Sequence, residues 1–389
     1  MTDGAPARDV AARPGRSWPG RAAAAVLAVA LGTAVAIPAG EIALRIVSPA
    51  SLKLPVTDRA EFLEFHPRLG WTNRPAAHGR LRFGQEFDNE VLINSKGLRD
   101  RDFPYDRRPG TLRILAVGDS FTFGQGVEAG EAWPKMLEKA LGPGAEVLNS
   151  GVSGWGTAQE MLWLEEEGFR YRPDVVVLGF YVNDFWDNAA LPNDGPRPRF
   201  TLETGRLTAT NLPLRAPRND RILSTALYLH NHSLLYRLFE QRWRSFQAGW
   251  LRPVDFTPIS GKRPTGRPRQ PEAPVSIPAV DVTGALLSEI ERSCETQGAR
   301  LVVLLIPGHW QVRPALRGFG SFAAQRDAYA AARTLCLDRR LRALDTYPAL
   351  AASEERGVAV YNPTDMHWNA AGHGLAAGLL ADALRGGQP

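Results

Sequence analysis

Ile114-Leu115-Ala116-Val117-Gly118-Asp119-Ser120-Phe121-Thr122-Phe123-Gly124 is the stretch whose reading decides the fold. It opens as an apolar run and breaks at once into Gly-Asp-Ser and a turn-prone tail. A short apolar run bounded by turn signals fits a strand buried on both faces, as in a parallel sheet. Such a strand delivers Ser120 to the rim beyond its carboxyl end, where open α/β sheets place their ligands. A serine there acts as a nucleophile only with a base to take its proton. A histidine suited to that task lies near the far end of the chain, in Asp365-Met366-His367-Trp368-Asn369.

Outward from this strand the pattern alternates. The α/β core is expected to begin near Thr111. Strand 113–118 leads to a helix at 131–141. Strand 145–149 leads to the loop Ser150-Gly151-Val152-Ser153-Gly154-Trp155-Gly156 and a helix at 157–169. Strand 174–181 ends at Asn183-Asp184. After a break, a helix at 281–297 is followed by strand 300–306, a helix at 322–337, a strand at 342–346 and a last helix at 369–384. Strands alternating with helices imply right-handed crossovers and a parallel sheet, so we expect a three-layer α/β/α domain over 111–385 with about five strands.

Three segments lie outside this core. Residues 59–104 are short, turn-punctuated and aromatic, and read as a small β-rich lead-in. Residues 190–280 are rich in Pro and Arg, as in Arg197-Pro198-Arg199 and Gly261-Lys262-Arg263-Pro264, and read as an insertion over one edge of the core. Within it, Ser233 stands as a cap before Leu234, Leu235, Leu238, Phe239 and Phe246 on a helical period. This insertion is either a structural lid or an element that shapes substrate or touches a membrane, with Trp243 and Trp250 as anchors. The third segment is N-terminal. Ala22 through Gly40 carry no charge, about the length needed to cross a bilayer core of roughly 30 Å. Arg8, Arg13, Arg16 and Arg21 precede it, which keeps a disordered tail, 1–21, in the cytoplasm. A membrane helix at 22–48 then leaves the body of the protein outside the cytoplasmic membrane, in the periplasm. The rival is a signal peptide cleaved after Ala34-Val35-Ala36, which would make the protein secreted.

The 389 residues carry 46 Lys and Arg against 41 Asp and Glu, a net charge of +5, and the excess arginine is scattered rather than set in a stripe. That argues against a nucleic-acid partner. The two cysteines, Cys294 and Cys336, are either a disulfide pair or two buried small apolar side chains. No His-Cys cluster accompanies them, so no metal site is expected.

Four segments fall at or just past the carboxyl ends of the core strands: Ser120, Gly154, Asn183, and Asp365 with His367. Acyl transfer needs a nucleophile, a base, a group that orients the base, and donors for the developing oxyanion. Ser120 is the candidate nucleophile, its bland alternative being a helix cap. His367 is the candidate base, Asp365 the residue that would hold its tautomer, and Asn369 a cap for the last helix. The N–H groups of Ser120 and Gly154 and the side-chain amide of Asn183 are the candidate oxyanion donors. A plain turn glycine and an Asx turn are the bland alternatives for the latter two.

In this order the residues form a Ser-Gly-Asn-His set that resembles the SGNH (GDSL) hydrolase family, over roughly 111–185 and 281–385. The resemblance implies a flavodoxin-like sheet and serine-dependent ester chemistry without metal or organic cofactor. Two positions depart from the family pattern. The usual Asp-x-x-His is here Asp-x-His, with Thr364 three before His367. This Asp-x-His-Trp form looks like the subset related to polysaccharide O-acetyltransferases of the alginate-acetylation type. In Gly179-Phe180-Tyr181-Val182-Asn183-Asp184, Val182 stands in place of a loop glycine. The resemblance therefore implies removal of an acyl group, O-acetyl above all, from a small-molecule or polysaccharide ester. Transfer of that group to an exported polysaccharide is the alternative, and a non-catalytic carbohydrate-binding or scaffold protein the third.

Other folds are excluded by position. The α/β-hydrolase elbow requires Gly-x-Ser-x-Gly, and Thr122 and Trp155 stand where the second glycine would be. Gly261-Lys262 lacks the upstream glycine of a P-loop, and Gly151, Gly154 and Gly156 do not match dinucleotide spacing. His309, after strand 300–306, either reaches the site rim or is a surface-loop histidine. His373, about 240° around the last helix from His367, reads as structural or exposed. Trp155, Trp186 and Trp368 either line the rim or plug the core.

Overall fold

The computed structural model describes residues 18–47, 62–83, 86–189, 196–216, 225, 228–229, 233–247, 276–313 and 323–386. The chain divides into two compact units, Met1–Lys53 with His232–Arg263, and Leu54–Asn231 with Pro264–Pro389.

The larger unit opens with two antiparallel ladders, β1 (Leu63–His66) on β2 (Gly70–Asn73) and β3 (His78–Phe83) on β4 (Phe87–Leu92). Leu81 and Val91 of the second ladder, with the flanking Phe62 and Ile93, pack with Phe123, three residues after Ser120. The central sheet follows: β5 (Leu112–Gly118), β6 (Ala145–Asn149), β7 (Val175–Tyr181) and, after a small antiparallel hairpin of β8 (Phe200–Glu203) and β9 (Arg206–Ala209), β10 (Arg300–Ile306) and β11 (Ala343–Asp345). The five core strands are parallel, in the order β11-β10-β7-β5-β6.

Side chains alternate along these strands and both faces are covered. Leu115, Val117, Val176, Leu178, Val303 and Leu305 point into one apolar layer. Ile114, Ala116, Val175, Val177, Leu304 and Ile306 point into the other. That two-sided burial makes β5, β7 and β10 read as apolar runs. Helices Thr157–Glu166 and Ile277–Thr296 pack together in the first layer, and Trp133–Leu141 and Ala370–Arg385 in the second. The expected three-layer α/β/α sandwich is the fold observed.

Strand order fixes where chemistry sits. From β5 the chain moves outward to β6, then returns to the other side of β5 as β7. The carboxyl ends of β5 and β7 therefore flank the topological switch point, where such sheets leave a crevice. Ser120 and Asn183 follow those two strands.

Several expectations need adjustment. Helix Tyr347–Glu355 and the β8–β9 hairpin were not expected. The helix expected to reach 169 ends at Glu166 and continues as a 3₁₀ turn, Gly168–Tyr171. Cys294 and Cys336 are both buried and free, so the apolar alternative holds and the disulfide does not. Residues 1–17, Trp250 and the Gly261-Lys262-Arg263-Pro264 stretch lie outside the described residues.

The smaller unit contains helix Trp18–Val47 and helix Leu234–Gln247. Ala22–Val47 is long and apolar enough to cross a membrane, a test that an N-terminal signal sequence also passes. Ser233 Oγ accepts from Tyr236 N at 3.1 Å, the cap expected at that helix start.

Candidate active site

The turn that carries Ser120 is built from glycine, a cap and a buried arginine. Gly118 on β5 pairs with Gly179 on β7. A Cβ on either would strike the side chain of Thr122, so the paired glycines let the chain double back over the sheet. Asp119 caps the four-residue helix Ser120–Phe123, its carboxylate accepting from Phe121 N at 2.9 Å. Gly124 ends that helix in the left-handed region, φ 86°. Arg99, 1% exposed, then fastens the turn. Its guanidinium donates to the carbonyls of Phe123 (3.0 Å), Gly124 (2.7 Å), Val127 (2.9 Å) and Glu90 (3.2 Å). Burial pushes its pKa down to about 10, still well above neutrality.

Across the sequence, a loop before the last helix meets this turn. Tyr361 and Trp368 form an antiparallel bridge, and Asn362 N donates to His367 O at 2.8 Å, closing residues 362–367 into a tight reversal. Met366 takes φ 73°, which brings the side chains of Asp365 and His367 to one another across it. Asn369 Oδ1 accepts from Ala371 N (3.0 Å) and Gly372 N (3.1 Å), capping the last helix as expected.

The result is a chain of short contacts. Ser120 Oγ lies 2.8 Å from His367 Nε2, and His367 Nδ1 lies 2.7 Å from Asp365 Oδ2. A carboxylate beside Nδ1 favours the proton there and leaves Nε2 to accept from the serine hydroxyl. The other carboxylate oxygen, Asp365 Oδ1, accepts from Gln125 Nε2 at 3.0 Å, and Asp365 N donates to Glu86 Oε2 at 3.0 Å. The ring of Phe121 lies against the imidazole, centroids 4.8 Å apart, and restricts its swing.

Gly154 and Asn183 sit on the neighbouring loops, after β6 and β7. The first loop is laced to β5: Ser150 N donates to Ala116 O at 2.9 Å and Val152 N to Gly118 O at 3.0 Å. Gly151 lies so close to the Thr122–Phe123 backbone that any side chain there would collide with it. Trp71 Nε1 donates to Ser153 O at 3.1 Å, and Trp155 Nε1 to Trp71 O at 2.8 Å, which holds Gly154 at φ 81°. Among the described residues, the N–H groups of Gly154 and Ser120 donate to no protein group. Asn183 Nδ2 donates one hydrogen to Asp187 Oδ2 at 2.9 Å, and Arg197 pairs with the same carboxylate at 3.1 Å. The structure thus joins Ser120, His367 and Asp365 directly and leaves Gly154 and Asn183 at the same rim without a hydrogen bond to them.

Below the rim lies a group of buried acids. Asp119 is 1% exposed, and burial, with Asp187 nearby, pushes its pKa up to about 7. Glu160 and Asp184 are fully buried and raised well above the ordinary carboxylate range, by burial first and by neighbouring acids next. Thr157 Oγ1 donates to Asp184 Oδ2 at 3.0 Å. No cluster of His, Cys, Asp and Glu able to hold a metal occurs among the described residues.

Sequence reasoning missed Gln125, Arg99 and the Asp187–Arg197 pair. Of the two readings of His309, the surface-loop one does not hold. That side chain is 6% exposed, its ring 4.9 Å from Trp310 and 6.3 Å from Tyr361. The apolar Pro-Gly-His-Trp loop turns inward because Trp310 and Tyr361 close over it, and burial pushes the His309 pKa down to about 3. His373 is fully buried; its Nδ1 accepts from Trp133 N at 3.2 Å, which makes it structural. Trp155 and Trp368 are fully buried and plug the core, while Trp186 is partly buried.

The family model of the GDSL-like lipases and acylhydrolases matches residues 116–375, well over half of the chain. The chain belongs to the GDSL-like lipase/acylhydrolase family. This GDSL-like protein is a serine ester hydrolase of the SGNH type. No curated protein matches its sequence. Among solved structures it is similar to a lipolytic protein of the G-D-S-L family from Veillonella parvula, at 13% identity over 70% of this chain and 96% of the other, TM-score 0.37. It is also similar to an alpha/beta hydrolase from the metagenome of Lake Arreo, Spain, at 13% identity over 72% and 96%, TM-score 0.40. An acetyl-xylooligosaccharide esterase from Geobacillus stearmophilus matches at 14% identity over 70% and 94%, TM-score 0.38.

Proposed function

We propose that this GDSL-like hydrolase cleaves O-acetyl esters outside the cytoplasm through an acyl-enzyme on Ser120. The observation that carries the mechanism is the contact chain from Ser120 Oγ to His367 Nε2, 2.8 Å, and from His367 Nδ1 to Asp365, 2.7 Å. Ser120 Oγ attacks the ester carbonyl while His367 Nε2 takes its proton. Asp365 holds the Nδ1–H tautomer and offsets the charge of the imidazolium. The tetrahedral oxyanion is met by the N–H groups of Ser120 and Gly154 and by the second amide hydrogen of Asn183, whose first is fixed on Asp187. The intermediate collapses, the alcohol leaves with the proton from His367, and the acyl group stays on Ser120. Water, deprotonated by His367, then attacks the acyl-serine; the intermediate collapses with cleavage of the acyl–Oγ bond, His367 returns the proton to Ser120 Oγ, and the carboxylic acid leaves.

The acetyl preference is supported by the Asp-x-His-Trp form of the base loop. The location is supported by the arginines that precede the uncharged stretch from Ala22 to Gly40. The full chain in detergent, assayed on p-nitrophenyl acetate, butyrate and decanoate beside Ser120→Ala, tests the reading. Serine-dependent turnover that falls with acyl length supports it. Turnover unaffected by Ser120→Ala refutes the mechanism, and a preference for decanoate refutes the substrate.

A further inference from the structure

The smaller unit holds an arrangement that ester hydrolysis does not use. In helix Trp18–Val47 the uncharged stretch ends at Gly40, and Glu41 is the first charge after it. Both carboxylate oxygens of Glu41 serve the start of helix Leu234–Gln247. Oε1 accepts from Leu234 N at 3.0 Å; Oε2 accepts from Leu235 N at 3.0 Å and from Ser233 Oγ at 2.9 Å. A carboxylate at this position satisfies N–H groups that have no intrahelical partner and complements the positive end of the helix dipole. Leu235 packs at the same level, 3.7 Å from where a Cβ on Gly40 would stand. The second helix is therefore fastened where the apolar stretch gives way to charge.

From Leu235 one stripe runs along that helix at intervals of four residues, through Phe239 and Trp243. These two aromatic side chains are 63% and 50% exposed, and their rings stack with centroids 6.4 Å apart. The helix sequence also carries Arg242 and Arg244 against the single acid Glu240, while Arg237 is buried and takes no part in such a surface. Aromatic rings on one stripe with an excess of arginine suit a helix lying in a membrane interface, where the rings leave water and the cations meet anionic headgroups.

We propose that helix Leu234–Gln247 lies on an anionic lipid surface beside the Gly40–Glu41 end of the uncharged stretch in the Ala22–Val47 helix, with Phe239 and Trp243 set into the headgroup region. This rests on the reading that Ala22–Val47 crosses the membrane. The full chain is reconstituted in phosphatidylcholine/phosphatidylglycerol vesicles with an environment-sensitive fluorophore on Trp243→Cys, Val29→Cys or Leu337→Cys, each in turn. Leu337, 75% exposed on the larger unit, is the reference position. The native cysteines are both buried, so they do not compete for label. Expected is quenching by shallow nitroxide lipids at 243 that exceeds that at 337 by about threefold or more, and that shrinks in vesicles without phosphatidylglycerol. Quenching at 243 no greater than at 337 overturns the proposal, as does blue-shifted emission at 243 without lipid quenching, the signature of a protein partner. The probe at 29 separates two failures: quenched by deep nitroxides, it leaves the span standing and only the interfacial helix falls; unquenched, both fall.

Discussion

Replacing Asp365 with Asn tests what the short contact to the imidazole does. The change keeps shape and volume and removes one negative charge. In the native site the carboxylate is 4% exposed and sits 2.7 Å from His367 Nδ1. At an effective dielectric near 20, two unit charges about 2.7 Å apart interact by roughly 6 kcal/mol. That interaction exists only while the imidazole carries its second proton, in the transition states for acylation and deacylation. It is absent from the ground state, so it acts on kcat more than on KM. At about 1.4 kcal/mol per decade, 6 kcal/mol corresponds to about four decades of rate. The Asn amide keeps part of the hydrogen bonding, so we expect a loss of about 10³- to 10⁴-fold in kcat, with KM and the thermal midpoint nearly unchanged. The assay is steady-state hydrolysis of p-nitrophenyl acetate, with circular dichroism to check folding. A loss smaller than about tenfold in a folded variant would refute Asp365 as the residue that orients and charges His367.

Other outcomes follow from the same contacts. Gln125→Ala removes the donor to Asp365 Oδ1 (3.0 Å), and a hydrogen bond to a charged group is worth about 1.5–3 kcal/mol, so kcat should fall about ten- to a hundredfold with little change in KM. Asp119, Glu160 and Asp184 all hold protons in the fold that the unfolded chain has released, because their folded pKa values are raised. Their stabilisation is full below the ordinary carboxylate pKa near 4 and is lost as pH rises, through about 7 for Asp119. The thermal midpoint should therefore drop between pH 5 and pH 8, and Glu160→Gln, which cannot ionise, should flatten the drop; an equal drop in both proteins would contradict the assignment. Burial pushes the thiols of Cys294 and Cys336 up to about 12 and about 11, so neither should react with a thiol reagent in the native protein, and both should react after unfolding.

The middle of the sheet was legible in the sequence because burial on both faces leaves apolar runs at β5, β7 and β10, ended by Gly118, Asn183 and Pro307; β6 carries Glu146 and β11 is only Ala343-Leu344-Asp345, so these two read from the alternation with helices. Ser120 and His367 were legible for a related reason, since each follows such a run or precedes a capped helix. What escaped was long-range or inverted. Gln125 reaches Asp365 over 240 residues of sequence, and nothing local to either announces it. Arg99 looks like any loop arginine until its four carbonyl partners are known. The Asp-x-His spacing departs from the family pattern by one residue, and the left-handed turn at Met366 absorbs the difference. Helix Tyr347–Glu355 was missed because its small residues carry almost no amphipathic signal. The surface-loop reading of His309 failed because its ring contacts are Trp310 and Tyr361, the latter 52 residues away, and nothing local announces the second.

The central claim is that Ser120 carries the acyl group. Fluorophosphonate labelling of the full chain, followed by peptide mapping, tests it most directly. The account predicts a single adduct on Ser120 that is absent in Ser120→Ala and strongly slowed in His367→Ala. An adduct on another residue, or labelling of Ser120 at the same rate without His367, would contradict it.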